Sequence, residues 1–193
     1  MKRAVGFIAL ATCLAVWAPP AGAQTAPKDT ITGTAPFTLG MASADALTAD
    51  PSLTAVTTTV CGTPAHGAAY GSRVTAPVGG YPYAASLVLC FSEDKLGAIV
   101  LTWPQGTFRQ DTVRWQLATR AVAAQLAASY APGLLRRYAV DDDMGAVIEM
   151  ADGQGNLLTM TSDPGDDPDI AVTYVSAGYD QAVNGKRATV TSY

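Results

Sequence analysis

The chain has 193 residues, of which 49% are hydrophobic and 15% are charged, a balance typical of a globular protein with a substantial core. Twelve Lys and Arg residues against sixteen Asp and Glu residues give a net charge of −4. An acidic chain with dispersed arginines lacks the positive surface that nucleic acid or anionic lipid requires, so we exclude both classes of partner.

The N-terminus predicts an export signal. Lys2 and Arg3 form a positive region, residues 7–17 form an apolar run too short to span a membrane, and Ala21 and Ala23 are the small residues that a signal peptidase requires. We therefore expect a periplasmic or secreted protein with cleavage after Ala23. No second long apolar run follows, so the sequence predicts no membrane span.

An alternative interpretation treats residues 10–13 as a lipoprotein signal, with Cys13 as the acylated N-terminus. Thr12 is larger than the Gly or Ala expected at that position, and the apolar run continues past Cys13. The sequence favours cleavage after Ala23, and lipidation of Cys13 stays an alternative.

The rest of the chain divides into a leader and a folded part. Residues 24–35 are polar and poor in large apolar side chains, which predicts a flexible leader. Residues 36–193 predict a single α+β domain. Residues 36–103 and 104–176 both run from a helix into strands, so two diverged halves are an alternative description of that domain.

The secondary structure follows from capping residues, apolar periodicity and turn residues. In chain order we expect first a short helix at 44–49 capped by Ser43, a strand at 54–61, and a long loop at 62–85 with room for a short strand at 73–78. A hairpin of strands 86–91 and 96–103 follows around the turn 92–95, and then a long helix at about 108–130 opened by a Thr107/Gln110 capping box. The last elements are a second hairpin of strands 145–151 and 156–161 and a strand at 170–176.

The predicted fold is α+β, an antiparallel sheet of hairpins with one long helix (about 108–130) packed on one face and a short N-terminal helix. The long helix carries a continuous apolar stripe that would face the sheet, made of Trp115, Ala118, Val122, Leu126 and Tyr130. In the second hairpin, Ile148, Met150, Leu158 and Met160 should face the core.

Cys61 and Cys90 are the only cysteines that follow the signal segment. Because an exported protein folds in an oxidising compartment, an even count predicts a disulfide between them. Closing the intervening loop should stabilise the fold by roughly 3–4 kcal/mol. No CxxC spacing favours a redox role instead.

The segment 62–85 is the most interesting surface candidate because tyrosines stand in it among Gly, Ser and Pro, a composition found in recognition loops. The alternative is a long loop whose tyrosines pack back onto the sheet. The candidate recognition residues are His66, Tyr70, Arg73, Tyr81 and Tyr83.

Patterns that would indicate catalysis or metal binding are weak. His66 is the only histidine, which excludes His-cluster zinc sites, and no GxSxG element accompanies it. Acidic turns at 141–143 and 163–169 could offer oxygen ligands to calcium, but neither has a known calcium-loop spacing. We therefore predict no metal, no cofactor and no catalytic residue, and calcium stays an alternative.

The run Gly40-Met41-Ala42-Ser43-Ala44-Asp45-Ala46-Leu47 resembles the start of the first helix in small exported α+β domains of the outer-membrane-assembly lipoprotein (BamE-like) and β-lactamase-inhibitor-like group. The resemblance covers about eight residues and transfers no functional residue. It implies a domain that binds other proteins and catalyses nothing.

The leading functional hypothesis is accordingly a non-catalytic binding or envelope-assembly module whose partner is another envelope protein, acting through the sheet face or the 62–85 segment. The competing hypothesis is a periplasmic hydrolase or carbohydrate-active enzyme that uses Asp/Glu chemistry, which requires two carboxylates in one cleft.

We predict that the exported protein begins at Gln24. Intact-mass spectrometry of protein purified from the periplasm or medium measures this directly, because each cleavage site leaves a different mass. A lipid-modified mass starting at Cys13 would contradict the prediction.

Overall fold

The computed structural model describes five stretches of the chain: residues 26–61, 67–108, 111–141, 145–163 and 169–179. The expected export signal, His66, and the residues after Tyr179 lie outside these stretches.

Ten strands and two complete α-helices lie within the described residues, and residues 177–179 are also helical. The strands are β1 (Gly33–Thr34), β2 (Phe37–Thr38), β3 (Thr54–Ala55), β4 (Ala69–Val78), β5 (Tyr81–Ser92), β6 (Lys95–Pro104), β7 (Leu135–Asp141), β8 (Gly145–Ala151), β9 (Leu157–Asp163) and β10 (Asp169–Val175). The helices are α1 (Ser43–Ala49) and α2 (Thr112–Ser129), with short 3₁₀ helices at Gln105–Phe108 and Pro132–Leu134.

Strands β3 to β10 form one antiparallel sheet in the order β3-β4-β5-β6-β10-β9-β8-β7, and β1 pairs with β2 separately. The α+β class with an antiparallel sheet and one long helix is confirmed. Each half of the chain contributes one helix followed by four strands, and the two sets meet where β6 pairs with β10. The two halves therefore have mirrored strand orders, while their common origin stays a prediction.

The core lies between α2 and one face of the sheet. Four of the predicted helix positions, Trp115, Ala118, Val122 and Leu126, are buried on α2, and Tyr130 is buried directly after it. The strands present alternate apolar side chains to this layer, as period-2 patterning requires. Ile148, Met150, Leu158 and Met160 are all buried, which confirms the predicted core face of the β8–β9 hairpin.

The β5–β6 hairpin is confirmed, with Ser92 opposite Lys95 across a two-residue turn. Both turn residues, Glu93 and Asp94, have positive φ, as a tight hairpin turn that matches the strand twist demands. The side chain of Asp94 accepts a hydrogen bond from the Ser43 hydroxyl, which ties the first turn of α1 to this hairpin.

The expectation of a long loop at 62–85 is wrong over most of its described part, although the short strand allowed for at 73–78 is present within β4. Residues 69–78 and 81–92 are the strands β4 and β5, joined by Gly79 and Gly80, both at positive φ. A Gly-Gly pair is a favoured two-residue hairpin turn, so the glycines that suggested a loop are what allow the hairpin.

Several predicted boundaries also differ from the structure. The helix expected from 108 begins at Thr112, because the Asp111 carboxylate caps it by accepting a hydrogen bond from the Arg114 amide. Thr107, the expected start of the capping box, instead donates its hydroxyl hydrogen bond to the Ala84 carbonyl.

Three further differences involve short or edge elements. Ser43 is the first residue of α1 and not its cap, since its hydroxyl donates to Asp94. The strand expected at 54–61 pairs only over Thr54–Ala55. Strand β7, which carries exposed polar residues, was not expected at all because an edge strand shows little apolar alternation.

The segment expected to be a flexible leader is anchored by a buried carboxylate in the β8–β9 turn. Asp152 accepts hydrogen bonds from the Ile31 amide at 2.9 Å and from the Gln154 and Asn156 amides, both also at 2.9 Å. The Asn156 side-chain amide contacts both the Asp152 carboxylate and the Ile31 carbonyl. Ile31 is fully buried as a result, which places part of the leader in the core.

We predict that Asp152→Asn lowers the free energy of unfolding by about 1–3 kcal/mol at neutral pH, because an amide cannot accept from Ile31, Gln154 and Asn156 together. Burial raises the pKa of Asp152, but the hydrogen bonds lower it by more, so the pKa lies below its usual range. The carboxylate therefore stabilises the fold above about pH 4, and this stabilisation is lost as the pH falls through the lowered pKa.

Urea unfolding of the parent protein and of Asp152→Asn, at pH 7 and at pH 3, measures the loss in the free energy of unfolding at each pH. Asp29→Asn, at an exposed site, is the control. An equal loss at both pH values would contradict the role of the charge.

Candidate functional site

The predicted recognition residues separate into two groups in the structure. Tyr70 and Tyr83 point towards the core. The ring centroids of Tyr70 and Phe91 are 5.7 Å apart in an edge-on arrangement, and those of Tyr83 and Phe108 are 4.9 Å apart. These two tyrosines pack back onto the sheet, as the alternative interpretation expected.

Tyr81 and Arg73 remain on the surface. Tyr81 begins β5 at the tip of the hairpin and is 69% exposed. Arg73 lies on β4 opposite Ser86, on the face of the sheet away from α2, since its neighbour Val74 packs against the core. His66 lies outside the described residues, so its place among the recognition residues stays a prediction.

A groove separates the tip of the β4–β5 hairpin from α2, and we name it the tyrosine groove. Its volume is about 470 Å³, and its lining residues are Val78, Gly79, Tyr81, Tyr83, Arg114, Leu117, Ala118 and Ala121. Most of these side chains are apolar or aromatic, which is the usual character of a binding groove.

Large apolar side chains stand exposed at this groove and beside it on α2. Leu117 is 58% exposed in its lining, and Val113, one helical turn earlier, is 62% exposed. At the rim, the Arg114 guanidinium lies 3.3 Å from the Asp111 carboxylate. Apolar periodicity alone does not reveal the exposure of Val113 and Leu117, because it cannot show which part of a helix the sheet covers.

A second groove lies further along the same hairpin, beside the outer edge of β4, and we name it the edge groove. Its volume is about 390 Å³. It is lined by Thr34, Ala35, Pro36, Phe37, Ala49, Asp50, Val74, Thr75, Ala76, Pro77, Leu87 and Leu101.

Asp50 is the only acidic residue in the lining of the edge groove. Hydrogen bonds from the Ser52 hydroxyl and the Ser52 amide, at 2.6 and 2.9 Å, lower the pKa of Asp50 below its usual range. Its other oxygen accepts from the Ser72 hydroxyl on β4 at 3.2 Å. Asp50 is therefore ionised at neutral pH and holds the end of α1 against β4.

The predicted disulfide between Cys61 and Cys90 is present, with a Cα–Cα distance of 5.4 Å. Tyr179 covers it: the ring packs on Cys90 and Ala98, and the hydroxyl donates to the Cys61 carbonyl at 2.7 Å. A cavity of about 270 Å³ opens beside this cluster. The disulfide agrees with folding in an oxidising compartment.

The described residues bring together no set of catalytic groups. They contain no cluster of three or more His, Cys, Asp or Glu side chains that could hold a metal ion. Burial raises the pKa of Tyr174, which shares a buried hydrogen bond with Tyr130 under α2. Asp142, Asp143, Asp166 and Asp167 of the acidic turns lie outside the described stretches, so calcium binding there stays an alternative to the predicted absence of a metal.

Comparison with known proteins found no matching family model, no significantly similar curated protein and no significantly similar solved structure. The resemblance of residues 40–47 to BamE-like domains therefore stays a prediction. Within the stretches that the structure describes, neither helix has the length and apolar character to cross a membrane.

We predict that Gly97→Ala destabilises the protein by about 1–3 kcal/mol, because overpacking a filled site forces side chains to move. A Cβ at Gly97 would stand 2.0 Å from the Tyr179 ring. In a Tyr179→Ala background the same substitution should cost clearly less, because the ring is removed while only the Cβ of residue 179, 2.6 Å from the added Cβ, remains.

Chemical denaturation of the single and double variants measures this coupling. Gly153→Ala is the control, because a Cβ there meets nothing within 4 Å. Additive effects of Gly97→Ala and Tyr179→Ala would contradict the packing of Tyr179 on β6.

Proposed function

We propose that this protein is an exported, non-catalytic binding module that captures an apolar segment of another envelope protein in the tyrosine groove. The observation that carries the proposal is the cluster of exposed apolar side chains at this groove, with Tyr81 at 69% and Leu117 at 58% exposure. Isolated exposed apolar residues are ordinary, but a group around one concavity marks an interaction surface.

The composition of the groove suits recognition of a polypeptide. Tyr81 offers a rigid ring with a polar tip, and Leu117 and Ala121 offer aliphatic contact on the facing helix. Burying a side chain of this size contributes roughly 1.5–3 kcal/mol, from which the entropic cost of association is subtracted. Arg114 at the rim supplies a charged contact of the kind enriched at interaction hot spots.

The hydrolase alternative has less support. It requires two carboxylates in one cleft, with one pKa raised so that the group can act as an acid. Among the described residues, the edge groove holds the single carboxylate of Asp50, whose pKa is lowered. The tyrosine groove has the carboxylate of Asp111 at its rim, already paired with Arg114.

We predict that Leu117→Asp weakens partner capture at least tenfold, because it places a charge where an apolar partner side chain is buried. The folded state should change by less than about 1 kcal/mol, since the site is exposed. Ala124→Asp is the matched control: it lies on the same face of α2 two turns further on, is exposed, and does not line the groove.

A photo-crosslinking amino acid at position 81, incorporated in cells that export the protein, measures this capture. The expected result is a specific adduct that Leu117→Asp removes and Ala124→Asp retains. An adduct unaffected by Leu117→Asp, or lost equally in both variants, would contradict the proposed site.

A further inference from the structure

Among the residues that the structure describes, no strand pairs with the outer edge of β4 over most of its length. Strand β3 pairs only with Tyr70 and Gly71, because the chain arrives through the turn at Asp50–Leu53 and adds no further pairs. Beyond Gly71, β4 continues for seven residues to Val78. Among the described residues, no other strand pairs with this side of β4.

The hairpin register shows which backbone groups face outwards. Val78 and Tyr81 flank the two-residue turn, so they form a hydrogen-bonded pair, and the even-numbered residues of β4 bond to β5. The backbone amide and carbonyl groups of the odd-numbered residues therefore point away from β5, towards the outer edge of the sheet. The Val56 amide confirms this phase by donating to the Ala69 carbonyl at 2.9 Å.

The open edge thus offers a short row of donors and acceptors. Arg73 and Thr75 each present an amide and a carbonyl, and Pro77 presents a carbonyl only. All three residues are exposed. Pro77 limits the edge on one side and the existing pair with β3 limits it on the other, so the free length suits one short extended segment.

The two faces of β4 would give such a segment different neighbours. On the core face, Val74 and Ala76 line the edge groove, whose walls include Pro36, Phe37 and Leu101. Side chains of an added strand alternate between faces, so every second one would enter this apolar groove. On the opposite face of the sheet, the exposed Arg73 side chain would lie beside the remaining side chains of the added strand.

We propose that the β4 edge binds an extended segment of another exported protein by strand addition. The segment carries apolar side chains at alternate positions facing the edge groove, and an acidic side chain on the other face beside Arg73. Backbone hydrogen bonds to Arg73 and Thr75 supply affinity, and the groove and the arginine supply specificity. The edge groove and the tyrosine groove share no lining residue, so this proposal does not depend on the tyrosine groove.

A phage-displayed library of random nine-residue peptides, selected against the exported protein, tests the proposal. We expect enriched sequences in which apolar residues alternate with polar ones and in which Asp or Glu occurs in the polar phase. A synthetic peptide of the enriched sequence should slow hydrogen exchange at the Arg73 and Thr75 amides.

Substitutions on β4 separate strand addition from other modes of binding. Thr75→Pro removes the central outward amide and should weaken binding of the synthetic peptide at least tenfold, while Thr75→Val keeps the amide and should bind like the parent protein. Arg73→Glu should change the enriched sequences from acidic to basic. Leu117→Asp, in the tyrosine groove, should leave this binding unchanged.

Backbone methylation of the synthetic peptide gives a test that does not require a folded variant. N-methyl groups on the residues whose amides face β4 should abolish binding, and N-methyl groups on the alternate residues should not. Failure of the library to enrich any sequence would overturn the proposal, as would equal binding to Thr75→Pro or equal binding of the two methylated peptides. Loss of binding in Leu117→Asp would place the peptide in the tyrosine groove instead.

Discussion

The pairing of β6 with β10 is the constraint on which the rest of this structure depends. It joins the strands of the two halves of the chain into one sheet, over seven antiparallel residue pairs. The side chains at this seam are largely buried, with Ile99 beside Tyr174 and Trp103 beside Ile170. Without it, each half would be a four-stranded sheet with an open hydrophobic edge, which a chain in water must cover.

The two halves cover the sheet unequally, and the candidate binding surfaces follow from that inequality. Helix α1 has seven residues and α2 has eighteen. The first half needs additional cover, which comes from the N-terminal segment through Ile31 and Phe37, held in place by Asp152. This cover does not extend over the end of the β4–β5 hairpin, so two grooves remain there, one against α2 and one beside the outer edge of β4.

Local chemistry made several parts of the fold predictable. The β8–β9 hairpin was expected because apolar alternation and turn residues agree, and the α2 stripe because five apolar residues recur at helical spacing. The β4–β5 hairpin was missed because its glycines and prolines suggest a loop when no neighbouring strand is known. Of the predicted recognition residues, Tyr81 and Arg73 are on the surface, and Tyr70 and Tyr83 are half-buried against the core, a division that composition cannot make.

The sequence by itself determined the α+β class, the two hairpins with clear alternation, and the pairing of Cys61 with Cys90. Each depends on local periodicity or on a count of two cysteines, so no knowledge of distant contacts was needed. The tertiary structure alone decided that Ile31 belongs to the core, that Leu117 is exposed, and that β4 has an open edge. These properties depend on which distant segments of the chain cover a given surface. Such cover comes from contacts between residues far apart in the sequence, such as Ile31 and Asp152, and local patterns do not show these contacts.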